Sequence, residues 1–396
     1  MNINILYLHQ YFKTPNDAGG TRSYWVAKNL KDSGYNVTVI TSSNTYSGEK
    51  IINGIRVIYL KISYDQKFSL LKRFVSFFLF SFFSILKIYK LKKPNLIIAT
   101  STPLSIGIPA LYFKLFFNIP YIFEVRDLWP DVPINMGAIK NKYLIYFSKL
   151  LEKIIYKKAI HIIALSPGMK MGIIKYVNEN KISMIPNFSN NDLYYPRDKN
   201  LLLINKFKLN IKSFKVIYFG SMGIANDIDI IINTAKLFEN DINVEFIFAG
   251  DGSERTKAKN KCSLLGINNV KFLGKIPMID LPELINLCDI SIVTFKDIPI
   301  LSTNSPNKFF DSLASGKPIL LNSNGWTKDI IEKNECGFYF DSKDKYSLYK
   351  LINNLKNNDK LLSLMSCNSK KIALNYYDKT ILTNDFLKIV KKVIPN

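Results

Sequence analysis

Histidine and cysteine are nearly missing from this chain. Two histidines, His9 and His161, and four cysteines, Cys262, Cys288, Cys336 and Cys367, are scattered over 396 residues with no C-x-x-C spacing. A zinc site and a disulfide scaffold are therefore unsupported, and a reducing cytoplasm is the simplest compartment. Acid is scarce too: 31 Asp and Glu stand against 54 Lys and Arg, a net charge of +23. The imbalance is uneven, with 25 basic and 10 acidic residues up to position 195 and 29 and 21 beyond it. Such a field attracts nucleic acid, anionic lipid or phosphorylated substrate alike. Long apolar runs are also wanting. FVSFFLFSFFSIL (74–86) stops at 13 residues, short of the roughly 20 that a membrane span needs. The start, MNINILYLHQ, has no basic region followed by a long apolar run, so it reads as a strand and not as a signal peptide.

What is present reads as two halves with one grammar. INILYL (3–8) is a short apolar run, HQYFKTPNDAGG a loop, TRSYWVAKNLKDSG a helix capped by Thr21 and closed by Gly34, and NVTVITS (36–42) the next strand. The order returns at KVIYFG, the loop SMGIAND, a helix to about 240, then VEFIFAG, VKFLG and DISIVTF. The fold class is α/β, with two doubly wound, Rossmann-like domains. The division places the first domain at 1–190, a linker at 191–212, the second domain at 213–375 and a terminal helical segment at 376–396, free to pack on either domain. A dinucleotide dehydrogenase is excluded, because GGTR (19–22) is not G-x-G-x-x-G and TSSN (41–44) ends the second strand without an acid.

Three segments carry polar chemistry. SPNKFFDSLASGKPI (305–319) predicts a helix over 306–314 with Ser305 as N-cap and Pro306 at the first position. Lys308 in its first turn repels the partial positive charge there unless an anion arrives, and Asp311 follows on the same face. A diphosphate and a ribose diol would suit the two; a plain Lys–Asp surface pair is the competing reading. In YIFEVRDLWPDVP (121–133), Glu124, Arg126, Asp127 and Asp131 cluster around Trp129 at the end of a strand, where open α/β sheets put ligands. Asp127 or Glu124 is placed to orient or deprotonate a hydroxyl, against a structural Arg126 ion pair as the alternative. The turns GGT (19–21), SMG (221–223) and GDGSER (250–255) open onto helices and suit close approach of backbone to phosphate or sugar, with Arg255 a phosphate partner.

The Phe-rich run is flanked by Lys72, Arg73, Lys87, Lys90, Lys92 and Lys93, and its aromatic side chains point nearly all round a helix. An interfacial helix with a basic fringe accounts for both features, and KNKYLIYFSKLLEKIIYKKA (140–159) extends it. The expected partner is an anionic membrane surface, met through residues around 70–93 and 140–158.

Taken in order, GGTR, EVRDLWPD, ALSPGM, IPN, FGSMG, AGDGSER, VKFLG and SPNKFFDSLASGKPI resemble the retaining glycosyltransferases of family 4. The resemblance implies the GT-B architecture, two Rossmann-like domains facing a central cleft, and a metal-independent hexosyl transfer with no cofactor. EVRDLWPD most resembles the subgroup that adds a sugar, often an N-acetylated amino-deoxy sugar such as fucosamine, to a polyprenyl diphosphate-linked saccharide in O-antigen or capsule assembly. The protein would then be cytoplasmic and peripheral on the inner face of the membrane, with a UDP-linked sugar as donor and no nucleic-acid partner. Asp311 takes the place of the second glutamate of the family's E-x7-E motif, and Thr303 that of the first, which is absent. SMGIAND also lacks the basic residue of many relatives, leaving more of the diphosphate charge to Lys308. The implied donor set is Gly19, Gly20, Gly220, Ser221, Gly223, Arg255, Thr303, Ser305, Lys308 and Asp311, with Arg22, Arg126 and Trp129 on the acceptor and Asp127 or Glu124 catalytic. A GT-B nucleotide-sugar 2-epimerase and a basic, non-enzymatic binder of nucleic acid or anionic surfaces are the rival functions.

Overall fold

The computed structural model describes residues 3–17, 19–65 and 68–394, so both extreme ends of the division above lie outside the described residues. The first half runs β1 (Asn4–Leu8), α1 (Arg22–Asp32), β2 (Asn36–Ser43), β3 (Gly48–Ile52), β4 (Ile55–Lys61), α2 (Leu70–Tyr89), β5 (Leu96–Thr100), α3 (Gly107–Phe117), β6 (Tyr121–Val125) and α4 (Asp131–Asn135). It continues through α5 (Lys142–Lys158), β7 (His161–Ala164), α6 (Pro167–Ile174) and β8 (Ile182–Met184). After α7 (Leu201–Lys206) come β9 (Phe214–Phe219), α8 (Ile228–Leu237), β10 (Val244–Ala249), α9 (Arg255–Leu264), β11 (Val270–Gly274), α10 (Leu281–Leu287) and β12 (Ile290–Val293). The last elements are α11 (Asn307–Ala314), β13 (Ile319–Leu321), α12 (Trp326–Lys333), β14 (Gly337–Tyr339), α13 (Ser347–Lys356), α14 (Asp359–Tyr376) and α15 (Lys379–Val393).

The strands form two sheets, ordered β3-β4-β2-β1-β5-β6-β7-β8 and β11-β10-β9-β12-β13-β14. Every pairing is parallel except β3 with β4 at one edge. LIIAT and VEFIFA are buried at every position, because helices cover both faces of a parallel sheet. The strand order reverses between β1 and β5 in one sheet and between β9 and β12 in the other. At such a point successive crossovers leave to opposite faces and open a crevice at the strands' carboxyl ends.

The span expected as a linker is folded. Tyr194, Ile204 and Leu209 are buried in the core of the second domain together with Ile217 and Leu284. What crosses between the domains is shorter: Ser189 N donates to Tyr377 O at 3.0 Å and Lys379 N to Ser189 O at 3.0 Å, so the outgoing and returning chains run side by side. Beyond that crossing α15 packs on α1 and buries Leu382, Phe386 and Val390 in the core of the first domain. Thr21 precedes α1 as expected, but its hydroxyl makes no cap bond and accepts from Trp25 Nε1 at 3.2 Å instead.

Candidate active site in the interdomain cleft

On the second domain the site begins with three glycines. Gly220 follows β9 at φ +105°, and Gly250 follows β10 at φ +148°. A Cβ on Gly250 would collide with Gly220 O, and one on Gly252 with the Met222 backbone, so the two turns lie one on the other with bare backbone between them. Lys308, from the first turn of α11, reaches this place. Its Nζ donates to Tyr218 Oη at 2.7 Å and Asn226 Oδ1 at 3.2 Å, sits 4.0 Å from the centre of the Tyr218 ring, and its Cε lies 3.5 Å from where a Gly220 Cβ would be. Burial pushes the ammonium down to about 7. Asn226 thus occupies the loop that lacks a basic residue, and the cation comes from α11.

Lys308 and Asp311 form no pair. Asp311 Oδ1 accepts from Ser189 Oγ at 3.1 Å, beside the interdomain crossing, and burial raises its carboxyl to about 7. The competing surface-pair reading therefore fails. One neighbour is corrected. Ser305 is not the N-cap of α11: that position is Pro306, and Ser305, 7 % exposed, accepts from Asn187 N at 3.1 Å through its hydroxyl. Thr303 is half-buried, with its hydroxyl proton given to Ile300 O at 2.7 Å and its methyl 2.7 Å from the place of a Cβ on Gly168. Both residues fasten α11 to the first domain, through the IPN and ALSPGM turns. Arg255 lies against Gly274 with its Nε buried and without a hydrogen-bond partner among the described residues. Ser221 and Gly223 line the turn after Gly220, with Ser221 Oγ 3.5 Å from the place of a Gly223 Cβ.

The first domain faces these groups with the loops after β1, β5 and β6. A Cβ on Gly20 would collide with Asn307 Nδ2 of α11 and approach Arg126 Nη2 to 3.7 Å, so at Gly20 the bare backbone of one wall meets α11 of the other. Gly19 precedes it at φ +125°. Arg126 Nη1 also donates to His9 Nε2 at 3.4 Å. His9 is 3 % exposed and held neutral by burial and by the nearby Arg126 and Lys13 charges, with Nδ1 unpartnered among the described residues. Asp127 Oδ2 accepts from Thr102 Oγ1 at 3.2 Å; burial raises its carboxyl to about 6, against the opposing pull of Arg126. Trp129 stands edge-on to Phe77 of α2 at 6.2 Å. A cavity of about 530 Å³ opens between Pro15 and Asn16 on one side and Lys275–Ile279 on the other.

Glu124 and Arg22 are not part of this surface. Their side chains are 0 % and 1 % exposed and pair at 2.8 Å. Glu124 Oε2 accepts from Thr100 at 2.9 Å, while Arg22 donates to Pro186 O at 2.5 Å and Ile185 O at 3.0 Å. Glu124 as base and Arg22 as acceptor ligand are thereby corrected: the pair ties β6 and α1 to the turn that leads into the crossing. Losing one partner leaves a buried charge uncompensated, so Arg22→Met is expected to destabilise the first domain by about 3–5 kcal/mol. Urea unfolding followed by circular dichroism measures this. A change under about 1 kcal/mol accompanied by complete loss of activity would return the pair to the site.

With this geometry in view, the chain compares with known proteins as follows. Residues 19–192 match the family model Glycosyltransferase Family 4, and residues 202–372 match Glycosyl transferases group 1. No curated protein matches in sequence. Among solved structures, sucrose-phosphate synthase from Thermosynechococcus elongatus superposes with a TM-score of 0.81 at 15% identity, covering 99% of each chain. Anabaena HepE in complex with UDP and glucose gives 0.75 at 17%, covering 99% of this chain and 100% of that one. WaaG, a glycosyltransferase involved in lipopolysaccharide biosynthesis, gives 0.71 at 13%, covering 98% and 99%. The two matched models fill the two domains in order, and the protein is a glycosyltransferase of the group 1/family 4 type with the GT-B fold.

Proposed function

We propose that the protein is a retaining glycosyltransferase that moves a sugar, of the N-acetylated amino-deoxy class, from a UDP-linked donor to a polyprenyl diphosphate-linked saccharide during bacterial surface-polysaccharide assembly. The observation that carries the donor half is Lys308, a half-buried cation at the bare backbone of Gly220 and Gly250. Cations and N–H groups held in place stabilise a departing diphosphate, so transfer on this reading needs no metal or cofactor. HepE, solved with UDP and with UDP-glucose, supports uridine as the nucleoside. Asp311 would receive the ribose hydroxyls by exchanging its Ser189 bond, and Arg255, with Gly19 and Gly20 opposite, would complete the anion's surroundings.

On the acceptor side, Arg126 and Trp129 line the approach and Asp127 takes the hydroxyl proton, while attack on the face the nucleotide leaves preserves anomeric configuration. The lipid end of such an acceptor calls for an enzyme at the cytoplasmic membrane face. No described helix is long and apolar enough to cross a membrane. Residues 70–93 and 140–158 offer an apolar surface with a basic fringe, which supports peripheral attachment to anionic lipid.

Melting curves of wild type and Asp311→Ala with UDP, GDP, ADP and dTDP, at low and high salt, test the donor reading. A ligand at a hundred times its Kd stabilises by about 2.7 kcal/mol. UDP alone is expected to raise the wild-type midpoint at high salt, with Asp311→Ala unresponsive. Shifts with all four only at low salt would leave generic anion binding in its place.

A further inference from the structure

The surface offered to lipid is larger than the two segments named above, and it is built onto the site. α3 lies between α2 and α5: Ser81 Oγ of α2 donates to Ser105 O at 2.8 Å, Tyr89 packs on Phe117 at 5.5 Å, and Gly107 at the start of α3 abuts Ile155 of α5. Together the three helices expose Phe78, Phe82, Phe116, Tyr143 and Phe147, the least covered being Tyr143 at 78 % and Phe116 at 69 %. No acidic residue occurs between Asp65 and Glu124, while Lys72, Arg73, Lys87, Lys90, Lys92, Lys93 and Lys114 fall in that span. Beyond it, Asp131 is paired with Lys149 at 3.1 Å and Glu152 of α5 is 1 % exposed. At the edge of the face Lys87 is paired with Glu49 at 3.1 Å, and the other cations still outnumber the acids, so an aromatic face with a net positive fringe complements an anionic bilayer.

The inner sides of the same helices hold the cleft loops. Ser76 of α2 accepts from Gln10 Nε2 at 3.2 Å, next to His9, and Phe77 meets the Trp129 ring edge-on. From α5, Lys149 pairs with Asp131, and Glu152 accepts from Tyr176 at 3.1 Å. Each loop of the first-domain wall that carries His9 or Asp127 is thus attached to a helix whose outer side is apolar and exposed.

We infer that the α2–α3–α5 face docks on an anionic phospholipid bilayer and that docking seats residues 126–135, the turn after β6 together with α4, with Phe77 and Lys149 as positioning residues that act through Trp129 and Asp131. This rests on the glycosyltransferase reading and adds control of the site to mere placement. Binding shifts a conformational equilibrium only through contacts it makes better in one state; here those contacts are the exposed aromatics, and the shifted element is the loop behind them.

The test uses the full chain with Trp25 and Trp326 changed to Phe, so that Trp129 is the sole indole, and vesicles of phosphatidylcholine with or without phosphatidylglycerol. Expected are sedimentation with phosphatidylglycerol vesicles, a shift in Trp129 emission on binding, and at least about tenfold weaker partitioning for Phe116→Asp/Phe147→Asp. Lys149→Ala is expected to bind vesicles as well as its parent but lose the emission shift, and Lys149→Arg to regain it. Vesicle binding with no response from Trp129, or a response that Lys149→Ala leaves intact, would overturn the coupling and leave attachment standing. Failure to bind, or equal binding to pure phosphatidylcholine, would overturn the docking face. The UDP melting shift, read on the same preparation without vesicles, reports separately on the donor reading.

Discussion

Lys308→Ala is expected to lower transfer at least about a hundredfold with the fold intact, the scale found when a charge-stabilising donor is removed from a site that excludes water. The loop that opens α8 offers the leaving diphosphate no cation, since SMGIAND contributes Asn226 and no basic side chain. On the proposed reading Lys308 would supply that charge from across the turn, and in the free protein it is costly to keep ionised: burial lowers its ammonium to about 7. A bound diphosphate reverses that balance by stabilising the charged form. The sign follows. Above pH 7 the free protein holds Lys308 increasingly neutral, so donor binding must take up a proton and affinity falls as pH rises. Calorimetric titration with UDP at pH 8, in two buffers of different ionisation enthalpy, is expected to show proton uptake in the wild type and none in Lys308→Met. Equal uptake in the variant would assign the proton to another group and remove Lys308 from the diphosphate site.

Parallel strands buried on both faces announce themselves as short apolar runs, which is why KVIYFG and VEFIFAG are legible as strands in the sequence. The hairpin of β3 and β4 was less so, because GEKII is mostly exposed at a sheet edge; its signal was the Asn53–Gly54 turn, with both residues at positive φ. Local chemistry located α11 and the strand-end cluster, yet could not say which charges meet. Glu124 finds Arg22 102 positions away, a distance that no spacing rule spans, and so a structural pair looked like a base and an acceptor ligand. Ser305 shows the same limit on a smaller scale: an N-cap in sequence, it is drawn off by Asn187 from the other domain. His9 and Asn307 escaped notice for lack of a local pattern, although His9 follows directly on β1, where the strand order reverses. A long-range contact decides each of these cases.

Asp127→Asn is expected to lower transfer by about 10²- to 10⁴-fold, the usual contribution of a positioned acid or base, while UDP still raises the melting midpoint as in the wild type. Asp127 lies two residues past the end of β6, held by Thr102 and next to Arg126, whose Nη2 lies 3.7 Å from the place of a Cβ on Gly20, the residue that meets Asn307 of the other wall. Burial raises its carboxyl to about 6, so near neutrality it is ionised and still basic enough to accept a hydroxyl proton. Wild-type kcat/KM should therefore fall as pH drops through about 6, with a limb of unit slope that is missing in the variant. Unfolding does not explain such a limb, because of its sign. The folded-state value lies above the ordinary 3.8, the native protein binds this proton more tightly than the unfolded chain, and the group's contribution to stability grows as pH falls from about 6 to about 4. Loss of activity with the protein at least as stable is thus the signature of the carboxylate at work. An unchanged acid limb in Asp127→Asn, with near wild-type turnover, would pass proton removal to an oxygen of the donor's own phosphate and leave Asp127 a partner of Thr102 alone.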